Sequence, residues 1–241
     1  MRSADVGLQS YTYRRFPLRR AIEEAAAVGC RALEVFPGHL PADTPQAEVD
    51  AVLAHARAHG IRFCGYGVVG VGPDGAERDL RFAHGLGCDY VSIDVRPDDR
   101  AAQRAAIAHA EACGLRLGIH NHGPGHHYST VDTVLAQVEG MPACFGACVD
   151  TGHFLRAGQD PVEAVVRLGA RALAVHLKDF TAAGAEVAPG AGRLDLPATL
   201  RALARSGFST AYVLEYEADE HDPTPAVRAA VAAVAAALQA V

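Results

Sequence analysis

Four histidines stand close together in the stretch LGIHNHGPGHHYS, residues 117–129, at positions 120, 122, 126 and 127. An apolar run, residues 117–119, leads directly into the first of them. Gly123-Pro124-Gly125 then interrupts the chain immediately after the second. Imidazole nitrogens are common ligands of transition metals, so a buried strand that ends in them suggests half of a metal site. The alternative is a polar loop that is merely rich in histidine.

Further carboxylates, imidazoles and one amine stand at or just beyond the ends of other apolar runs. They lie in the segments ALEVF, CVDTGH, AVHLKDF and LEYE and are Glu34, Asp150, His153, His176, Lys178, Glu215 and Glu217. Two imidazoles combined with two carboxylates form a ligand set that suits Zn, Mn, Fe or Co and leaves room for a substrate or water. The question is whether the fold brings such a set together.

The elements that would position these residues are short β-type runs that alternate with amphipathic helical stretches. The predicted strands are residues 6–11, 32–37, 62–69, 90–95, 116–122, 145–151, 172–180 and 211–217. Helical stretches such as residues 18–29, 44–60 and 196–207 carry apolar residues every three or four positions and end in glycine. Regular alternation predicts a parallel sheet of the α/β class.

Eight strand–helix units in 241 residues fit a closed (β/α)8 TIM barrel. An open doubly wound sheet is the alternative, but that fold usually carries a glycine-rich turn after its first strand. Here QSYTYRRFP follows the first strand and contains no glycine. No linker or low-complexity segment divides the chain, so we predict a single barrel domain spanning residues 1–241.

Alternation along the strands predicts which side chains point together. Side chains alternate between the two faces of a strand, and active sites of this barrel lie at the carboxyl ends of its strands. The residues that share the inward face near these ends are His120, Asp150, His176 and Glu215. Their larger apolar neighbours, such as Ile119 and Val149, are predicted to face the helices. We therefore predict that these four residues bind one metal ion and that His126 and His127 are loop residues at the rim.

Composition excludes several classes of function. The chain carries a net charge of −6 without a basic stripe, which disfavours nucleic acid as a partner because phosphate contacts need clustered Lys and Arg. Its first ten residues contain no apolar signal region, and no stretch is long and apolar enough to span a membrane. The six cysteines form no CxxC pair and are predicted to be reduced, mostly buried thiols of a cytoplasmic protein.

The segments HNHGPG, DTGHFLRAGQDP, RALAVHLKDF, GAGRLDLPATLRAL and YVLEYE resemble the sugar phosphate isomerase/epimerase superfamily, the xylose-isomerase-like TIM barrels. That superfamily includes tagatose-type epimerases, inosose dehydratases, 3-dehydroshikimate dehydratases and endonuclease IV. The resemblance implies one divalent metal ion (Zn, Mn, Mg, Fe or Co) on the last four strands, at the four positions reached above. It also implies substrate contacts from Glu34, His153 and Lys178, and a glycine-rich loop with Arg193 that closes over the sugar.

One departure from the superfamily bears on the reaction. Its epimerases have a glutamate where this chain has His120, and they move a proton with two metal-bound carboxylates. A metal-bound imidazole cannot readily take a proton from carbon, so elimination by a dehydratase or lyase of keto-sugars or inososes is favoured over isomerase/epimerase chemistry, a near-equal alternative. The predicted base is Glu215 or Glu34; the predicted proton donors and substrate contacts are Lys178, His153, His122, Glu217 and Arg193.

Two other classes of function stand as alternatives. Phosphodiester hydrolysis of the endonuclease IV type needs further metal ligands on the early strands, where this chain offers only Glu34 and Asp94. A non-catalytic sugar-binding barrel is the other, against which the intact ligand set and the HLKD segment argue. The expected partner is a small carbohydrate, with no nucleic acid and no membrane, and the expected assembly is a homodimer or homotetramer.

Overall fold

Eight parallel strands close into a barrel in the computed structural model, which describes residues 5–239. The barrel strands are β1 (Val6–Gln9), β2 (Ala32–Val35), β3 (Arg62–Gly70), β4 (Tyr90–Asp94), β5 (Arg116–His120), β6 (Phe145–Asp150), β7 (Ala172–Leu177) and β10 (Tyr212–Leu214). They pair in chain order around the barrel, and β1 closes it against β10. A short antiparallel hairpin, β8 (Asp179–Phe180) and β9 (Glu186–Val187), follows β7. The predicted TIM barrel is confirmed.

Helices cover the outside of the barrel. They are α1 (Leu18–Ala27), α2 (Gln46–Ala58), α3 (Glu77–Gly85), α4 (Arg100–Cys113), α5 (Val131–Val138), α6 (Thr151–Arg156), α7 (Pro161–Leu168), α8 (Leu196–Arg205) and α9 (Thr224–Gln239). Several begin at an aspartate whose side chain accepts a backbone N–H of the first turn, as Asp99 does for α4 and Asp195 for α8. None of the helices in residues 5–239 is long and apolar enough to cross a membrane.

The apolar residues separate into two cores, as strand alternation predicts. Ile119 and Val149 belong to the large core between strands and helices. A second, smaller cluster fills the inside of the barrel and consists of Ala32, Cys64, Tyr90, Cys148, Ala174, Ala211 and Val213. Small residues are needed there: a Cβ added to Gly118 would lie 2.8 Å from the backbone nitrogen of Cys148. The barrel interior is therefore a packed core and not a pore.

Seven of the eight barrel strands end one to three residues earlier than the sequence predicts, and the last two differ most. The seventh was expected to run to Phe180 but ends at Leu177, and the eighth was expected to reach Glu217 but ends at Leu214. At the seventh strand the cause lies in the hydrogen bonds of the backbone at Lys178. The N–H of Lys178 donates to the hydroxyl of Thr151 at 2.9 Å, and that hydroxyl also lies 2.6 Å from the Lys178 carbonyl. The chain thus leaves the strand ladder where it enters the mouth of the barrel.

Candidate metal centre and active site

Four side chains converge at the carboxyl ends of the last strands. They are His120 on β5, Asp150 on β6, His176 on β7 and Glu215 just beyond β10, and we call them the mouth quartet. All are buried, and their ligand atoms lie within 4.8 Å of one another. His120 Nε2 is 3.0 Å from His176 Nδ1, which is 3.4 Å from Glu215 Oε2. The structure thus brings together the four residues that alternation selected.

Strand register explains why they meet. Asp150 and Val213 both pair with His176 across the neighbouring strands, which sets the last three ligands at similar depth. Asn121 fixes the backbone of the first two ligands, His120 and Asp150, relative to each other. Its amide donates to the Asp150 carbonyl at 2.9 Å and accepts the Asp150 N–H at 2.8 Å. The sequence predicts no role for Asn121, because alternation only places it on the outward face between two inward residues of HNH.

His176 is held from behind by a buried carboxylate. Its Nε2 donates to Glu34 Oε2 at 2.7 Å, which leaves the Nδ1 lone pair facing the quartet. Glu34 is fully buried and also accepts hydrogen bonds of 2.5 Å from the hydroxyls of Tyr90 and Ser92. The sequence predicts Glu34 at the mouth as a substrate contact and as one of two candidate bases, the other being Glu215. The structure places it behind a predicted ligand, with both oxygens occupied, so it does not reach a substrate there.

The quartet fits a divalent metal ion. Asp150 Oδ2 is buried and has no hydrogen-bond partner within residues 5–239, while Oδ1 accepts the His153 N–H at 2.7 Å. Ligand atoms that lie about 2.1 Å from one ion are about 3.0–3.4 Å apart in octahedral or tetrahedral complexes. The separations of 3.0 and 3.4 Å at His176 Nδ1 agree with that range. Unused lone pairs therefore converge at a spacing that a metal ion can bridge.

The electrostatics of the quartet favour positive charge. Burial raises the pKa of Asp150 to about 7, although Lys178 lowers it in part. Burial also raises the pKa of Glu215, but Lys178 and His176 outweigh it and bring the value well below the ordinary range. Burial lowers the pKa of His176, yet Cys148, Glu34 and Glu215 together raise it well above normal. The acidic groups around His176 thus favour a positive charge at this position.

Lys178 stands beside the quartet among carboxylates. Its Nζ lies 3.8 Å from Glu215 Oε2 and 3.9 Å from Glu186 Oε1, and it forms a salt bridge with Glu217. Burial lowers the pKa of Lys178, but Glu215 and its other acidic neighbours raise it above the usual value. Gly152 lets the backbones approach, because a Cβ there would lie 2.8 Å from the Lys178 Cβ. Glu186 is not predicted from the sequence, because its two-residue strand is too short to show an alternating pattern.

Two further predicted histidines flank the quartet. The ring centroids of His122 and His153 lie 4.7 and 5.9 Å from that of His120. Burial lowers the pKa of each to about 4. His153 Nε2 is 4.0 Å from Asp150 Oδ2, and its Nδ1 is buried without a partner in the described part of the chain. Both rings are therefore neutral near pH 7.

His126 and His127 lie further out, as predicted, at the rim. Their Nε2 atoms are 3.5 and 3.2 Å from the carboxylate oxygens of Asp94. We call these three residues the rim trio. Its ligand atoms also lie within 4.8 Å of one another, but all three side chains are partly exposed.

The glycine-rich loop after β9 is fixed by Asp179. This fully buried carboxylate accepts four backbone N–H groups, those of Phe180, Gly190, Gly192 and Leu194. Arg193 extends from the loop, is exposed, and donates to the carbonyl of Leu155 at 3.1 Å. The loop is thus anchored, and closure of Arg193 over a substrate stays a prediction.

Known proteins share this architecture. The sequence matches a family model described as xylose isomerase-like TIM barrel over residues 22–237. The rhizopine catabolism protein MocC of Rhizobium meliloti is 28% identical over 134 residues, which cover 46% of this chain and 40% of the length of MocC. D-psicose 3-epimerase of Clostridium cellulolyticum H10 superposes with a TM-score of 0.79 at 17% identity, over 97% of this chain and 99% of its own.

A xylose isomerase domain protein of Planctomyces limnophilus superposes with a TM-score of 0.77 at 21% identity, covering 99% of this chain and 97% of that one. At these identities the structural likeness concerns the fold.

Proposed function

Because the chain belongs to the xylose isomerase-like TIM barrel family, we propose that it is a metal-dependent enzyme that acts next to the carbonyl of a small sugar, keto-sugar or inosose. The observation that carries this proposal is the mouth quartet, whose four ligand atoms lie within 4.8 Å of one another at the catalytic end of the barrel. The names of two similar proteins, a D-psicose 3-epimerase and a rhizopine catabolism protein, support the same class of substrate.

In this proposal the mouth quartet holds one divalent ion. When bound there, the ion supplies a Lewis acid that polarises the carbonyl oxygen of the substrate and acidifies the neighbouring C–H bond. Glu34 is a positioning residue in place of the base expected from the sequence, because it orients His176 through a hydrogen bond of 2.7 Å.

The residues of the mouth, Glu215 of the quartet among them, suit β-elimination. Glu215 or His153 removes the proton from the carbon next to the carbonyl, and the electron pair of that bond forms a new C=C bond. The C–O bond at the next carbon then breaks, and Lys178 donates a proton to the departing oxygen, which leaves as water. The carboxylates around Lys178 hold it in the charged form that a proton donor needs. No oxidant or reductant takes part.

Isomerisation or epimerisation is the second candidate, and Glu186 is the observation in its favour. An epimerase needs a proton-transfer group on each face of a planar intermediate, and His120 occupies the position of one of the usual carboxylates. Glu186 brings a further carboxylate to within 3.9 Å of Lys178 Nζ. Burial raises its pKa to about 7, a value suited to proton transfer near neutral pH.

NMR in deuterated water separates the two reactions. The metal-loaded protein is incubated with ketoses, inososes and 3-keto-glycosides, with an E215Q variant as the matched control. Formation of an enone with loss of water or of an aglycone supports elimination. Clean interconversion of two ketoses, with deuterium at a single carbon, establishes epimerisation instead. If no compound turns over and sugars bind equally well without metal, the barrel is a sugar-binding protein and the proposal fails.

Phosphodiester hydrolysis makes a separate prediction. We expect no cleavage of abasic-site DNA by the metal-loaded protein, because the chain has a net charge of −6 and so lacks the electrostatic attraction that DNA binding needs. Cleavage is followed on denaturing gels. Nicking that disappears in the E215Q variant would contradict the proposed sugar chemistry and show that the protein is a nuclease.

A further inference from the structure

Two histidines and a glutamate meet on the outer wall of the barrel, on helices that take no part in the mouth. Glu23 lies on α1, His55 on α2, and His59 immediately after α2, one helical turn beyond His55. The ligand atoms of the three lie within 4.8 Å of one another. His55 Nε2 is 3.3 Å from Glu23 Oε1, and the two imidazole centroids are 4.4 Å apart. We call this set the outer-wall trio.

Local hydrogen bonding settles which nitrogen of His59 is free. His59 Nδ1 lies 2.9 Å from the backbone carbonyl of His55. A carbonyl can only accept, so Nδ1 carries the proton and Nε2 keeps its lone pair. A backbone carbonyl bound to one ring nitrogen is the usual device that fixes a histidine for metal ligation through the other.

His55 supplies the second free nitrogen. Its Nε2 is buried and has no hydrogen-bond partner within residues 5–239. An unsatisfied buried polar atom is costly and is commonly explained by an ion or water that the protein binds. The carboxylate of Glu23 is the nearest charged group, at 3.3 Å. A free ring nitrogen of His55, a carboxylate oxygen of Glu23 and the imidazole of His59 thus lie close together on the outer wall.

Arg20 is the cation that could compete for Glu23. Its Nη2 lies 2.5 Å from Glu24 Oε1, whereas its Nη1 is 3.6 Å from Glu23 Oε2. The guanidinium is therefore engaged mainly by Glu24. Oxygen Oε1 of Glu23, the one that faces His55, stays available.

From this geometry we infer a second metal site, on the outer wall, in which Glu23, His55 and His59 bind Zn²⁺ or another borderline divalent ion. Two histidines one turn apart on a helix, joined by a carboxylate, form a well-known zinc ligand set. Three protein ligands leave a fourth position for water. The site links α1 to α2, so bound metal stabilises this part of the wall because it binds the folded state alone.

The test is a zinc titration of the full-length protein, followed through the imidazole signals of His55 and His59 in two-dimensional NMR. H55A and H59A variants assign the two signals. We expect both signals to shift together and to stop moving once one zinc ion per chain is bound at the outer-wall trio. Substitution E23Q or H59A should weaken zinc binding at His55 by at least about tenfold, since even the loss of an indirect partner of a metal ligand costs that much.

An H109A variant is the matched control. His109 Nε2 also faces a glutamate on a neighbouring helix, at 4.0 Å from Glu77, but their pair does not belong to a three-ligand group among the described residues. The H109A substitution should leave the zinc-induced shifts of the His55 and His59 signals unchanged. Signals of His55 and His59 that do not move with excess zinc, or a His55 shift that survives both E23Q and H59A, would overturn the inference. Because the readout is local to the outer wall, the result stands whether or not the mouth binds metal.

Discussion

The mouth quartet and the rim trio use the same kinds of residue and share one histidine-rich stretch, residues 117–129, yet they differ in depth and in support. The quartet side chains are at most 9% exposed, whereas those of the rim trio are 26–36% exposed. Burial makes unpaired lone pairs costly at the mouth and nearly free at the rim, where water can satisfy them.

The two sets also differ in the direction of their lone pairs. At the mouth, Glu34 takes the Nε2 proton of His176 and directs Nδ1 into the quartet. At the rim, Nδ1 of His126 accepts the backbone N–H of Tyr128 at 3.3 Å, so Nε2 carries the proton and points it towards Asp94. The rim residues therefore satisfy one another. Histidine count and proximity do not distinguish a metal site; the partner of the second ring nitrogen, which decides where the free lone pair points, does.

Removal of a quartet ligand should have the largest effect. We expect H176A and E215Q to lose the metal equivalent of the mouth, because each substitution removes one of four ligands and leaves buried charges unpaired. The H127A variant should keep the wild-type metal content of the mouth. Elemental analysis of the dialysed proteins measures the difference. An undiminished metal content in H176A would contradict the assignment of the mouth quartet as a metal site.

A buried cation should matter more for turnover than an exposed one. We expect K178M to lower kcat by about 10²–10⁴-fold, the usual contribution of a general acid, with metal content retained. The matched control is R96M, because Arg96 is an exposed rim cation that pairs with Asp98. Both are assayed on the substrate that the NMR panel identifies. Equal kcat values for K178M and the wild type would exclude Lys178 as the proton donor.

Loss of the carboxylate behind His176 should weaken binding without abolishing it. We expect E34Q to lower metal affinity by about 10–100-fold, because the ring loses the partner that fixes its tautomer. Y90F removes one of the hydrogen bonds to Glu34 and should have a smaller effect. Competition with a chromogenic chelator measures both. A D98N variant at the rim is the control, and an E34Q affinity equal to that of D98N would contradict the positioning role.

The smallest effect is expected at the rim itself. D94N removes the carboxylate that both rim histidines face, yet these groups are exposed and water can replace it. We expect the free energy of unfolding to change by less than about 0.5 kcal/mol, with no change in metal content. Urea denaturation and elemental analysis provide the measurements. Loss of one metal equivalent in D94N would show that the rim trio binds a metal ion as the mouth quartet does.

The ligand set could be predicted from sequence because it depends on local pattern. Alternation of small and large residues fixed the inward face of β5, β6 and β7, and chain order fixed which strands are neighbours. These two facts suffice to bring His120, Asp150 and His176 together. Neither depends on detailed packing.

The depth of Glu34 could not be predicted in the same way. The pairing of β2 with β3 shifts register between Leu33 and Glu34, and such a shift has no signature in the sequence of one strand. The early end of β7 depends on a hydroxyl, that of Thr151, which lies 27 residues away in the chain. Long-range hydrogen bonds of this kind decide which residues contact a substrate and which only support those that do.

The packed interior of the barrel has a consequence for kinetics. Tyr90, Cys148 and Val213 fill the space beneath the mouth and are fully buried, so the strands enclose no passage to the opposite end. A molecule that binds at the quartet must enter and leave through the same opening. Product and substrate then exclude each other, product must depart before the next substrate arrives, and each competes with the other for the free protein.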